Sequence, residues 1–233
     1  MTRITALFFT ALMAGSLALS SPARALSEQQ ELIDKSVITI EKMSARDDIK
    51  DHVRKYLREA RGVFVIPALI KGAFIIGGEG GTGVLMAKGG GNQWSYPAFY
   101  TMGAASFGLQ AGGQVSETIL IIMTAKGLTS ILDNKVKLGG DLSAAVGPYG
   151  VGVEGSTTTA VGADIITYSI GKGAFLGGSV EGAVIEHRDA MNYEYYNDTT
   201  ATPKAILLDG KFNNPQADRI RQVMSGVSAK PVQ

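Results

Sequence analysis

Two stretches, KGAFIIGGEG at residues 71–80 and KGAFLGGSVEG at residues 172–182, carry nearly the same phrase. Both lie in a block from Gly62 to Gly182 that holds 27 of the chain's 30 glycines. Glycine at that density, threaded through short apolar runs, marks sharp bends, bulges and close backbone approach inside strands. The block therefore predicts a tightly curved β structure rather than a helical or doubly wound one. Gly77, Gly78, Gly177 and Gly178 are the expected bends, where a β-branched residue would be strongly destabilising. Duplication of a hairpin and chance convergence both account for the repeated phrase, because the spacing before its GG differs and little else matches.

Outward from these phrases the period is that of strands. VFVIP, GAFIIGG, TGVLMAK, WSYPAFY, ASFGLQAGGQ, ETILIIMT, VKLGGDLSAAV, YGVGVEG, ADIITYSI and GAFLGGSVEG follow one another with Gly, Asn and Asp at their ends. A short helix near 126–132 interrupts them. In VKLGGDLSAAV, Val136, Leu138, Leu142, Ala144 and Val146 share one side, opposite Lys137, Gly139, Asp141, Ser143 and Ala145. A face lined by small residues lets a second layer approach or lets the sheet curl on itself, which predicts an antiparallel barrel or sandwich.

Helices flank the block. Ser27 and Gln30 have the spacing of a capping box, and Leu32, Ile33, Val37, Ile40 and Met43 fall on one stripe, predicting a helix over 28–45. Asp47 is placed to cap a second helix over 47–61. There Ile49, Val53, Tyr56, Leu57 and Ala60 recur at helical spacing, while Lys50, Arg54, Lys55, Arg58 and Arg61 crowd the other positions. Burying that apolar stripe in a headgroup layer or against the β block would release comparable free energy, roughly 1.5–3 kcal/mol per side chain. Periodicity alone does not choose between them. Thr202-Pro203 and Asn214-Pro215 open two further helical segments towards the C-terminus.

The first 25 residues read as a signal peptide: Arg3, the apolar stretch 4–19, and Ala23-Arg24-Ala25 at the cleavage site. Removing them leaves 20 basic and 21 acidic residues, a balance that gives no global pull towards nucleic acid. With no cysteine, the chain carries neither disulfides nor a lipoprotein anchor. The remaining length suits one domain, divided into a helical segment (26–61), a glycine-rich β core (62–186) and a C-terminal segment (187–233).

Motifs for catalysis do not assemble. Gly78-x-Gly80-x-x-Gly83 has the spacing of a dinucleotide fingerprint, yet Gly89-Gly90-Gly91 arrives before a binding helix could complete two turns. His52 and His187 are the only histidines and neither has metal-ligand spacing, so no metal or cofactor is expected. Ser106, Ser116 and Ser143 sit in strand patterns without a nucleophile elbow. Glu79, Glu117, Glu154 and Glu181 would serve as acid and base only if the fold paired them.

Taken in order, ARGVFVIP (60–67), KGAFIIGGEGGTGVL (71–85), SFGLQAGGQ (106–114), the ILIIMT run ending at Thr124 and KGAFLGGSVEG (172–182) resemble the SYLF-domain family across about residues 28–208. The chain resembles the stand-alone exported bacterial members. Relatives in eukaryotes often carry an aromatic residue where this chain has Gly80. The resemblance implies lipid binding, phosphoinositides in particular, through a basic amphipathic N-terminal segment, and actin binding in a yeast relative. For an exported protein, the part that transfers is affinity for anionic lipid. The expected architecture is α+β, a strongly curved antiparallel β core flanked by amphipathic helices. Its expected function is non-catalytic binding of anionic lipid or a membrane surface through Lys50, Arg54, Lys55, Arg58, Arg61 and Lys71. The alternative is an envelope structural or protein-interaction module without a lipid ligand.

Overall fold

The computed structural model describes residues 27–73, 76–90, 93–107, 112–133, 135–147, 162–171 and 182–229. The expected leader, the YGVGVEG strand and all of the second glycine phrase except Gly182 lie outside them.

Helix α1 (Glu28–Ala45) has the bounds its periodicity predicts. The Ser27 hydroxyl accepts from the Gln30 backbone N–H at 3.2 Å, but the capping box is only half made. The Gln30 side chain instead donates to Asp34 and to the Gln216 carbonyl. Helix α2 (Lys50–Glu59) starts later than expected. Ile49 is its N-cap with no side-chain capping bond, and Asp47 is ion-paired to Lys50 at 2.7 Å.

Strands β1 (Gly62–Ala73), β2 (Ile76–Ala87), β3 (Ala98–Phe107) and β4 (Gly112–Ile122) then lead into helix α3 (Ala125–Asp133). Four short strands follow: β5 (Val136–Lys137), β6 (Ala144–Val146), β7 (Ile165–Gly171) and β8 (Val184–His187). Helices α4 (Asp189–Tyr196), α5 (Pro203–Leu207) and α6 (Asp218–Ala229) end the described chain, with a 3-10 turn at Pro215–Ala217.

One sheet holds all eight strands, in the order β5-β8-β3-β2-β1-β4-β7-β6, antiparallel except where β6 lies beside β7. The sequence predicts a barrel or sandwich, and the structure is an α+β fold built on a single curled sheet. The curl follows from chain length. Laid flat, the edge strands β5 and β6 would stand roughly 34 Å apart at ~4.8 Å per step. The segment from Lys137 to Ala144 reaches at most about 25 Å when fully extended. Leu138 also bridges to Leu142, so the edges must approach and the sheet bends into a half-barrel. VKLGGDLSAAV is therefore not one strand: a turn at 139–141 sends its halves to opposite edges.

Helices cover both faces. On one, Val63, Val65, Val84, Met86, Ile119 and Ile121 pack with Ile33, Val37 and Ile40 of α1, Val53 and Leu57 of α2, and Ile220 and Met224 of α6. On the other, Phe64, Ile66, Leu85, Leu120 and Ile122 pack with Leu128 and Ile131 of α3 and Ile206 of α5. Burial on both sides explains why VFVI and ILII are continuous apolar runs instead of alternating ones.

VFVIP and the KGA that follows belong to one strand, although proline normally interrupts a central strand. The register of β1 slips by one residue against both neighbours, between Val65 and Ile70 on the β2 side and between Ile66 and Leu69 on the β4 side. Pro67 sits in that bulge, where the ladder is already broken and its missing N–H leaves no partner unsatisfied. The bulge presses on β2. A Cβ on Gly83 would collide with the Val65 carbonyl oxygen, and one on Gly81 would lie 2.6 Å from Ile66 Cγ2. At Gly78 the same test meets nothing closer than the Ala104 oxygen at 3.5 Å. Within β2, Gly81 and Gly83 are thus the glycines that packing demands. The expectation for Gly78 is corrected, and Gly177 and Gly178 fall outside the described residues.

Candidate functional site: the basic face of helix α2

The apolar stripe of α2 is spent on the core. Ile49, Val53 and Leu57 are at most 1% exposed and Tyr56 is 9% exposed. This settles the choice that periodicity left open: in this structure the stripe docks on the protein, and only the polar face of the helix is free to meet a surface.

That face is polarised along the helix. Asp47, Asp48 and Asp51 lie at the N-terminal end, and the Asp47 pairing offsets the charge of Lys50. Arg54, Lys55, Arg58 and Arg61 follow with Glu59 as the only acid among them. Lys55 and Arg61 are exposed, whereas Arg54 and Arg58 are half-buried. The Arg54 Nε is buried and makes no hydrogen bond. Arg61 is held to the sheet by its backbone, its N–H donating to the Ile122 carbonyl and its own carbonyl accepting from the Lys88 N–H, both at 2.8 Å.

Sequence reasoning missed Lys88. Pairing of Gly62 with Ala87 brings it under the end of α2. There its Nζ donates to the Arg58 carbonyl at 2.6 Å and the Leu57 carbonyl at 3.2 Å, and lies 5.6 Å from the Trp94 ring centroid. A cation on the last carbonyls of a helix offsets the negative end of its dipole. Burial, with the charges of Arg58 and Arg61 nearby, pulls the Lys88 amine below the ordinary lysine range. Its signal in the sequence is a lysine directly after the apolar run VLMA, which becomes informative only once the β1–β2 register is known.

Lys71 does not join this group. It lies nine residues along β1 from Gly62, roughly 30 Å at ~3.3 Å per residue, and faces Glu79 at 3.9 Å. Burial pushes the Glu79 carboxyl up, partly offset by Lys71.

The catalytic alternatives do not converge in the described part of the molecule. Glu79 pairs with Lys71 on the α3/α5 face and Glu117 with Lys42 of α1 on the other, so the sheet separates them. Glu154 and Glu181 lie outside the described residues. The Ser143 hydroxyl bonds Asp164 at 2.9 Å, and His187 Nδ1 bonds Asp189 at 2.8 Å. Gly78, Gly80 and Gly83 lie within strand β2 and open no helix. Among the described residues, no three His, Cys, Asp or Glu side chains gather as metal ligands, and no helix is long and apolar enough to cross a membrane. In a cleft of about 570 Å³ between the β2–β3 connection and α6, the Tyr96, Asp218 and Arg221 side chains are committed to partners within the chain. There the Tyr96 hydroxyl donates to Asp218 at 2.7 Å, and Arg221 Nε donates to the Trp94 carbonyl at 2.9 Å.

Residues 103–227, from β3 through α6, match the Ysc84 family, described as "Las17-binding protein actin regulator". The chain belongs to this family. It is similar to LAS seventeen-binding protein 3 of Saccharomyces cerevisiae, 34% identical over 164 residues, which cover 69% of this chain and 35% of that protein. Protein YSC84 of the same yeast is 30% identical over 171 residues, covering 72% of this chain and 36% of the relative. SH3 domain-containing YSC84-like protein 1 of Xenopus laevis is 27% identical over 213 residues, covering 90% and 62%. The chain thus spans about a third of the length of these two yeast relatives, the first of which is named for binding another protein. The region matched to the Ysc84 family begins after α2.

Proposed function

We propose that this chain is a non-catalytic module that binds an anionic lipid surface through the outer face of α2, exported by its leader and attached peripherally to the bacterial envelope. The observation that carries the reading is the gathering of Arg54, Lys55, Arg58, Arg61 and Lys88 around one helix end whose apolar side is already buried. Each lysine or arginine held near an anionic surface contributes about 1 kcal/mol. Contact is then electrostatic and interfacial, without insertion of the stripe.

Vesicle flotation tests this. The wild type should float with vesicles in proportion to their anionic content and release as salt is raised, because the attraction decays over about 8 Å at physiological ionic strength. Lys55→Glu with Arg61→Glu should lower flotation at an unchanged melting temperature, both side chains being exposed. Binding that ignores lipid charge and salt would overturn the proposal. A second reading, an envelope protein-interaction module without a lipid ligand, is favoured by the relatives whose names state that they bind a protein. Salt-indifferent capture of one envelope protein, with no flotation, would select it.

A further inference from the structure

The strand register brings a further cation to the end of the sheet where α2 stops. Gly62 pairs with Ala87 on one side and with Ile122 on the other, so Arg61 stands between Lys88 and Met123. Three residues beyond Met123, Lys126 lies in the first turn of α3, on the opposite face of the sheet from α2. Its Cα is within about 16 Å of that of Arg61, one strand spacing plus three chain steps. Ala125 is exposed, and the Lys126 side chain is 68% exposed. The segments 55–61, 86–90 and 123–127 that meet here carry Lys55, Arg58, Arg61, Lys88 and Lys126 against Glu59 as their one acid. Asp164 adds a second carboxylate, 3.8 Å from Lys126, but it is 8% exposed and turned inward to Thr124 and Ser143. Arg188 with Asp189, and Arg221 with Asp218, add one charge of each sign around it. The end of the sheet is therefore positive on both of its faces.

The other surface beside α2 is the outer side of the helices it packs with, and its charge is different. Helices α1 and α6 carry Glu28, Glu31, Asp34, Glu41 and Asp218 against Lys35, Lys42, Arg219 and Arg221. Lys35 is paired with Glu31 at 2.6 Å, Lys42 with Glu117 at 2.6 Å and Arg219 with Glu41 at 3.6 Å. Laid flat on that side, the molecule would bring an acidic helix against an anionic bilayer and gain nothing from cations already neutralised. We infer that the chain docks end-on: the C-terminal half of α2, the adjoining end of the sheet and the first turn of α3 meet the anionic lipid surface together. Lys126 is the second grip, across the sheet from Lys55 and Arg61, and the strands stand away from the bilayer instead of lying along it. This rests on the lipid-binding reading above and adds to it the face of the protein that α3 contributes.

The test uses protein purified from cells expressing the full chain, with vesicles of zwitterionic lipid containing a graded share of anionic lipid. Lys126→Gln should lower the vesicle partition coefficient about five-fold, the worth of one cation at an anionic surface. Ala125→Lys should raise it by a similar factor, and this gain keeps the test decisive if Lys126→Gln perturbs Asp164. Lys35→Gln on α1 should leave it unchanged. Because the chain has no cysteine, a polarity-sensitive fluorophore can be placed at one position at a time. On anionic vesicles the label on Ala125→Cys should shift to the blue, and the label on Ile38→Cys, at a residue 58% exposed on α1, should not. A blue shift at 38, or none at 125, overturns end-on docking. Salt-sensitive flotation that ignores both Lys126→Gln and Ala125→Lys overturns it as well, and in these cases the lipid-binding reading stands. A wild type that does not float at any anionic content overturns both.

Discussion

Lys88 Nζ closes the C-terminal end of α2 by donating to the Arg58 carbonyl at 2.6 Å, so a strand residue becomes part of the helix's charged face. Lys88→Met keeps much of the stem and removes the charge. It should lower thermal stability by about 0.3–1 kcal/mol, the usual worth of a cation at a helix C-terminus. It should also weaken flotation with anionic vesicles. A melting curve and a flotation series on the same preparation separate the two effects, and an effect on neither would remove Lys88 from the site.

Trp94, the only tryptophan, reports whether α2 stays docked. It is 1% exposed, belongs to the same apolar cluster as Val53 and Leu57, and its indole N–H donates to the Ser228 hydroxyl at 3.2 Å. Its emission maximum and its resistance to acrylamide quenching should be unchanged on saturating anionic vesicles. A red shift would mean that the stripe leaves the core when lipid binds.

Substitutions in the glycine block should divide sharply by position. Gly83→Val and Gly81→Val meet backbone and side chains of the β1 bulge and should destabilise by about 1–3 kcal/mol or more. Gly78→Val meets only ordinary contacts and should stay within about 0.5 kcal/mol of the wild type. Thermal melts of the three variants decide it. Equal losses at all three would show that Gly78 is constrained in a way the packing does not reveal.

Asp164 ties together the start of α3, the approach to β6 and the start of β7. It accepts from the Thr124 hydroxyl at 2.7 Å, the Ser143 N–H at 3.1 Å and the Ser143 hydroxyl at 2.9 Å. Burial opposes its charge, but these hydrogen bonds and Lys126 outweigh burial and hold its carboxyl below the ordinary aspartate range. The folded state therefore binds this proton less readily than the unfolded chain. The stabilisation is fully present above the unfolded value of about 3.9 and is lost as pH falls through the lower, folded value. Asp164→Asn should reduce stability at neutral pH by about 1.5–3 kcal/mol and flatten the acid limb of the stability profile. Urea titrations at several pH values below 5 measure both.

What the sequence made legible was local. Ser27 and the stripe through Ile33, Val37, Ile40 and Met43 set α1 to the residue, because capping and helical period are short-range signals. The apolar identity of the α2 stripe was equally plain, while its burial partner was not, since core and headgroup reward the same residues. The strands of VKLGGDLSAAV were misjoined because neither Val136 nor Ala144 carries any mark of which distant strand it will pair with. Pro67 looked like a strand terminus and is a bulge inside one. At the site, the α2 cations were readable as a group, but Lys71 was included and Lys88 omitted, because both placements depend on the β1–β2 register. The same long-range dependence separates Gly83, which has no room, from Gly78, which does.

The length of β1 has a consequence for variation. Arg61 precedes its first residue and Ile70 lies near its far end, roughly 30 Å away and several Debye lengths apart at physiological ionic strength. Changes at the two poles share no contacts and feel almost none of each other's field, so their energetic effects should add. Each pole can therefore drift in sequence without disturbing the energetics of the other.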